Sequence, residues 1–182
     1  GISEAEQAVI LLGKIDFDIA FTSKLKRAND TLDIILKGIK QNSIPVVKNL
    51  ALNERDYGDL IGQNKAEAAK EFGNEQVQIW RRSYDVPPPG GESLKNTADR
   101  VIPYLNNEIL PHVFEGKNVI VSAHGNSIRA IVMELKNFSP EEILKTEIGW
   151  CEPWIFSFKN KVLIDLEIKP RPNEKSMSRL PN

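Results

Sequence analysis

The sequence predicts a layered α/β fold with a mainly parallel sheet, and three observations carry that expectation. Short strand-like runs alternate with longer segments whose apolar residues recur at helical spacing, the pattern of strands joined through crossover helices. NVIVSA, at 118–123, is almost uninterrupted in its apolar character, as expected of a strand covered on both faces. FDIAF, at 17–21, alternates like a strand and leads straight into a helical pattern.

The elements follow in order. Ala5, Ala8, Val9 and Leu12 share one helical face, and Ser3 with Glu6 forms a capping-box pattern at its start. After FDIAF, the positions Leu25, Ala28, Leu32, Ile35, Leu36 and Ile39 predict a second helix with Thr22 or Ser23 as N-cap. IPVVKNL, at 44–50, is a short strand candidate, and ALNERDYGDLIGQ is too polar and glycine-broken to be regular. Asn64 and Glu67 make a capping box for NKAEAAKEFG, which Gly73 ends, and EQVQIWRRSYD gives another short helix before VPPPGG breaks it. A long helix is expected from Glu92 to about Glu115, kinked at Pro103. Ile128, Ile131, Val132 and Leu135 mark the helix after NVIVSA, and WIFSF with KVLIDLEI suggests a terminal strand pair near 154–168.

With 182 residues, 41% of them hydrophobic, the chain can build one sizeable core. A single domain over 1–168 is expected, followed by a mobile, proline-rich tail over 169–182. Lys plus Arg is 24 and Asp plus Glu 25, so the net charge of -1 gives no reason to expect nucleic acid or an anionic membrane as a partner. Anion binding must be local. The single cysteine, Cys151, cannot form an intramolecular disulfide, and no apolar run approaches the roughly 18 residues that span a bilayer, so the cytoplasm is the expected location.

The chain has two histidines. VIVSAHGNSIRA would place His124 where a parallel strand ends and a helix begins, the edge at which open α/β sheets bind ligands and helix amides suit an anion. The plainer reading is a histidine that only packs or hydrogen-bonds. LNERDYGDL gathers Glu54, Arg55, Tyr57 and Asp59 in an irregular loop, either a solvated surface or the seat of a proton carrier. Arg81 and Arg82 in WRRSYD offer planar forks for carboxylate or phosphate, although neighbours on a helix diverge by about 100° and such a pair is often only a charged face. Arg27 and Lys65 each fall near a helix start. Neither histidine has companions at a zinc-ligand spacing, so no metal is expected.

Taken in order, FDIAFTSKLKRA, LNERDYGDLIGQNKAEAAKEFG, QIWRRSYDVPPPGGESL and SAHGNSIRA resemble the signature stretches of the cofactor-dependent phosphoglycerate mutases of the histidine phosphatase superfamily. The resemblance runs from Gly1 to about Lys145. ERDYGDL followed by RRSYD and PPPGGESL distinguishes the mutase branch from general histidine phosphatases, and the direct passage from PPPGG to ESL is similar to its shorter members.

The resemblance implies a three-layer α/β/α sandwich that interconverts 3-phosphoglycerate and 2-phosphoglycerate through a phosphohistidine, primed by 2,3-bisphosphoglycerate, in glycolysis and gluconeogenesis. It implies that His124 lines the phosphoryl site, that Glu54 is the acid and base for the substrate hydroxyl, and that Arg27 and Asn126 hold phosphate, with Gly125 allowing close approach. Arg81, Arg82, Tyr57 and Lys65 would hold the substrate's carboxylate and remaining phosphate. It also implies that homo-oligomers are possible. The alternatives are a phosphatase of the same superfamily, in which water takes the phosphoryl group, and a pseudoenzyme that binds phosphorylated metabolites without turnover.

Two departures stand out. The family's nucleophilic histidine lies in an Arg-His-Gly motif ending its first strand, and this sequence has none; His112, after Pro111 late in a helix, is given a structural or surface role. The expectation is an N-terminally incomplete domain whose missing strand would sit beside NVIVSA. Second, IGWCEPWIF places Trp150 and Cys151 where the family has a Thr-Gly pair before the proline. Cys151 has no base beside it in sequence and is read as buried or incidental.

Overall fold

The computed structural model describes all 182 residues. Its centre is a three-stranded parallel sheet in the order β2 (Val46–Lys48), β1 (Ile19–Thr22), β3 (Val119–Ser122). The register aligns Ala20 with Val46 on one side and with Ile120 on the other. Because strand side chains alternate, Ala20 and Phe21 face opposite layers. Ala20 and Ile120 pack on Ala5, Ala8 and Leu12 of α1 (Ile2–Leu12) and on Leu32, Ile35 and Leu36 of α2 (Lys26–Gly38). Phe21 packs on Ala98 and Val101 of α5 (Leu94–Tyr104) and on Ala130 and Ile131 of α7 (Gly125–Lys136). Two helical layers therefore sandwich the sheet, which is why the central run NVIVSA is almost uninterrupted in its apolar character.

The remaining elements are α3 (Lys65–Phe72), α4 (Asn74–Arg82), α6 (Leu110–Phe114), α8 (Pro140–Leu144) and an antiparallel pair, β4 (Trp154–Lys159) with β5 (Val162–Ile168). β4 does not pair with β3. Between them lies a cavity of about 680 Å³, lined mostly by apolar side chains and running along β3 from Lys117 to Ala123 opposite Cys151–Phe158.

Local structure departs from the sequence pattern in three places. Helix α1 starts at Ile2, ahead of Ser3, and α2 starts at Lys26 with Leu25 as its N-cap. Ser23 is not free to cap, because its hydroxyl accepts the Leu25 amide at 3.1 Å and meets His124 at 2.8 Å. The long helix is not continuous: a π-helical stretch, Leu105–Ile109, separates α5 from α6. Pro103 and Pro111 flank it, each lacking the amide that a regular ladder would use.

The polar 169–182 segment, read from sequence as a mobile tail, is held at Ser176–Arg179. The Glu152 carboxylate accepts from Ser176 Oγ at 2.8 Å, the Met177 amide at 2.7 Å and the Ser178 amide at 3.1 Å. Glu147 and Arg179 exchange two main-chain bonds of 2.8 Å. Cys151 takes a left-handed φ of 49°, and a Cβ on Gly149 would lie 2.4 Å from the Glu152 carboxyl carbon, so that side chain would have to shift. No helix is long and apolar enough to cross a membrane.

Candidate active site

The site lies at the carboxyl end of the parallel sheet. β3 ends at Ser122, and His124 is the N-cap of α7. The imidazole is buried, with Nε2 at 2.8 Å from Ser23 Oγ, while Nδ1 accepts from Arg27 Nε at 3.3 Å. Since the arginine can only donate, this pairing assigns the ring proton to Nε2. Burial first, and then the Arg27 charge, hold the imidazole below its ordinary pKa against an opposing pull from Glu54. The rest of Arg27 is exposed, so its fork has free donors.

Glu54 reaches the same helix end. Its Oε1 accepts the Asn126 amide at 3.1 Å and the Arg55 amide at 2.8 Å, so a carboxylate occupies the anion position at the start of α7. Asn126 in turn donates from Nδ2 to the Tyr57 hydroxyl at 2.9 Å. A Cβ on Gly125 would meet nothing nearer than Glu54 Oε2 at 3.9 Å, leaving open space over that residue.

Two glycine-containing stretches fix the Glu54 loop. Gly58 has φ 56°, and a Cβ there would lie 2.3 Å from Pro89 O and 2.5 Å from the Gly91 nitrogen. The loops are stitched by Asp59 N donating to Pro89 O at 2.9 Å and Glu92 N donating to Asp56 O at 2.6 Å. ERDYG and PPPGG, well separated in sequence, are thus one packed unit.

His124, Arg27, Glu54, Tyr57, Gly125 and Asn126 come together. Arg81 sits in the last turn of α4 close to this unit, its Nε buried without a protein partner. Buried Arg55 lies between them, donating to Glu92 O at 2.6 Å and Trp80 O at 2.7 Å and stacking over the Tyr57 ring at 5.0 Å. Arg82 and Lys65 are exposed, and no hydrogen bond or ion pair ties either to the cluster. His112 is elsewhere, its ring 5.7 Å from that of Phe21. Burial raises the Cys151 thiol, which disfavours a thiolate. No group of three His, Cys, Asp or Glu side chains is placed to hold a metal ion.

Residue type and spacing did not single out Ser23 as a partner of His124, nor Glu92 and Arg100 as supports of the Glu54 loop. Ser23 had a competing signal as a helix cap. Arg100 contacts main-chain oxygens roughly fifty positions away, which leave no trace in side-chain pattern.

The profile of the histidine phosphatase superfamily (branch 1) matches residues 1–163. The chain belongs to this superfamily. Within it, the chain is 58% identical over 158 residues to the 2,3-bisphosphoglycerate-dependent phosphoglycerate mutase of Nitrobacter hamburgensis, covering 86% of this chain and 76% of that protein. It is 61% identical over 140 residues to the enzyme of the same name from Nitrobacter winogradskyi, covering 77% of this chain and 68% of that protein. Among solved structures, Bacillus stearothermophilus YhfR superposes with a TM-score of 0.80 at 18% identity, covering 92% of this chain and 81% of that one, a likeness that concerns the fold. The superfamily's α/β architecture, with helices on a parallel central sheet, is the architecture of this chain.

Proposed function

We propose that this site performs the chemistry for which its mutase relatives are named, the interconversion of 3-phosphoglycerate and 2-phosphoglycerate. The observation that carries the reading is the position of the Glu54 carboxylate at the N-terminus of α7, against the Asn126 amide and beside the His124–Arg27 pair. It sets a proton carrier next to an anion-binding helix end, which isomerisation of a phosphorylated hydroxy acid requires.

Each residue has a physical task in this scheme. Arg27 takes the oxygens of the transferring phosphoryl group beside the start of α7, where the Asn126 amide is held by Glu54. An anion placed there would favour the protonated imidazole of His124, whose Nδ1 would then donate to the anion and release Arg27 Nε to do the same. Glu54 takes a proton from the attacking substrate hydroxyl and returns it to the leaving one. Asn126 and Tyr57 hold one another and line the substrate. Arg81, whose Nε lacks a protein partner, together with exposed Arg82 and Lys65, suits the carboxylate and second phosphate of a bisphosphorylated ligand. That fit supports 2,3-bisphosphoglycerate as the primer, which when bound would supply the phosphoryl group.

The phosphoryl-accepting side chain is not among the residues gathered at this site, and the apolar cavity between β3 and β4 runs along β3 beside it.

The test joins to this chain a preceding strand ending in Arg-His-Gly and measures bisphosphoglycerate-stimulated conversion of 3- to 2-phosphoglycerate. Turnover is expected, and Glu54→Gln should lower kcat by roughly a hundred- to ten-thousand-fold. Net release of inorganic phosphate without isomerisation would replace the mutase reading with a phosphatase, and binding without either reaction would indicate a binding protein.

A further inference from the structure

We propose that Arg100 and Glu92 form a clamp that sets the orientation of the Glu54 loop, and that Arg100 acts on the reaction only through that loop. The inference rests on the reading of Glu54 as the proton carrier.

The Arg100 guanidinium, on α5, has five N–H groups. Its Nε donates to Glu92 Oε2 at 2.8 Å, and Nη2 donates to Glu92 Oε1 at 2.9 Å, a two-point pairing of fork and carboxylate. Nη2 also donates to the main-chain oxygen of Glu54 at 3.1 Å. Nη1 donates to Ala51 O at 2.7 Å and reaches Leu50 O at 3.5 Å. All five donors have protein oxygens, which leaves none for a substrate phosphate or carboxylate. Arg27 and Arg81 differ in this respect, since each keeps a donor without a protein acceptor.

Glu92 completes the grip from the other side. Its Oε1 accepts the Asp56 amide at 2.9 Å, its own amide donates to Asp56 O at 2.6 Å, and its carbonyl accepts Arg55 Nε at 2.6 Å. The ion pair is about three-quarters buried on both sides, with side-chain exposures of 27% for Arg100 and 23% for Glu92. Burial alone would raise the Glu92 pKa, but the bonds from Arg100 and the Asp56 amide bring it below the ordinary value, so the carboxylate stays charged.

The main chain is thus held at Ala51, Glu54 and Asp56, on both sides of the Glu54 side chain. Neither Arg100 nor Glu92 touches the Glu54 carboxylate itself, whose Oε1 accepts the Asn126 and Arg55 amides. A planar fork can span these oxygens, whereas a lysine ammonium at the same position cannot reach them together.

The experiment compares the wild-type chain with Arg100→Gln, Arg100→Lys and Glu92→Gln. Asp99→Asn serves as control, since it disrupts only an exposed ion pair on the same helix. Three readouts are taken: hydrogen exchange across residues 50–57, the NMR titration of the Glu54 carboxyl, and calorimetric affinity for 3-phosphoglycerate. Both Arg100 variants should speed exchange in 50–57 about tenfold or more, the loss of one or two charge-assisted hydrogen bonds, and should shift the Glu54 titration, with Asp99→Asn unchanged.

If Arg100→Lys restores the wild-type exchange and titration, charge rather than the fork is responsible and the clamp is wrong. It is equally wrong if Arg100→Gln leaves both unchanged. Should Arg100→Gln fail to fold, Glu92→Gln and Arg100→Lys carry the same comparison. If the wild-type chain binds no 3-phosphoglycerate, the functional reading fails, and the other two readouts still decide the clamp.

Discussion

Replacing Gly58 with alanine tests whether the catalytic loop depends on its contact with the proline-glycine turn. A Cβ at Gly58 would stand 2.3 Å from Pro89 O, 2.5 Å from the Gly91 nitrogen and 2.6 Å from the Gly90 carbonyl carbon. All three are backbone atoms and cannot rotate away. The residue also has φ 56°, which costs an L-residue about 1–2 kcal/mol. Relieving the clash requires the loops to part, at the expense of the 2.9 Å bond from Asp59 N to Pro89 O and the 2.6 Å bond from Glu92 N to Asp56 O. Those bonds contribute about 0.5–1.5 kcal/mol each.

The expected destabilisation of Gly58→Ala is therefore about 2–5 kcal/mol, the sum of strain and lost bonds. Gly62→Ala is the internal control: φ is 78° there too, but a Cβ would meet nothing within 4 Å, so only the strain remains. Urea unfolding of both variants, with 3-phosphoglycerate titrations in native buffer, separates the contributions. Gly58→Ala should be the less stable by about 1–3 kcal/mol, the worth of the two bonds, and should bind 3-phosphoglycerate more weakly because Tyr57 and Glu54 move. Equal destabilisation in the two variants would refute the idea that this loop contact holds the site.

Two further outcomes follow from charge. The folded-state pKa of His124 is lowered, first by burial and then by Arg27, so folding favours the neutral ring. Its stabilising contribution is present above the unfolded value of about 6.5 and is lost as pH falls toward the lower folded value. The thermal stability advantage of wild type over His124→Asn should thus shrink between pH 7.5 and pH 5, and an advantage that grows on acidification would contradict this. For Glu152, burial acts to raise the pKa, but bonds from Ser178, Met177 and Ser176 outweigh it and lower the value. Glu152→Gln should loosen the 176–179 segment, seen as faster amide exchange there, by an amount corresponding to about 1.5–3 kcal/mol for hydrogen bonds to a charged group; unchanged exchange would show that the carboxylate does not hold the tail.

Much of the fold was legible because its patterns are local. The Asn64–Glu67 capping box opens α3 as written, with the Asn64 side chain accepting the Glu67 amide at 2.8 Å. The apolar face of α2 also lands on the sheet as its spacing predicts. What failed locally did so where tertiary partners compete. Ser23 has a good capping side chain but uses it on Leu25 and His124, and Ser3 lies inside a helix that begins one residue before it. The π-helical stretch at 105–109 could not be located from Pro103 alone, since a second proline bounds it on the other side.

At the site, motif order pointed to residues that the fold does bring together around His124. It could not show how Glu54 is held, because Arg100 and Glu92 read backbone oxygens and amides rather than side chains. Nor could it separate Arg81, half-buried with an unpartnered Nε, from Arg82, which is exposed one residue later. That contrast arises from the helical rotation between neighbours and from what packs over each.

The central claim is that the start of α7, with Arg27 and Glu54, binds a phosphorylated hydroxy acid. It is tested most directly by following the backbone amide resonances of the 182-residue chain as 3-phosphoglycerate is added. The account predicts saturable shifts concentrated at Gly125, Asn126 and Tyr57, weakened at least about tenfold by Arg27→Gln through loss of a charge-assisted contact. Saturable binding that leaves those three amides unmoved, or that is indifferent to Arg27, would contradict it.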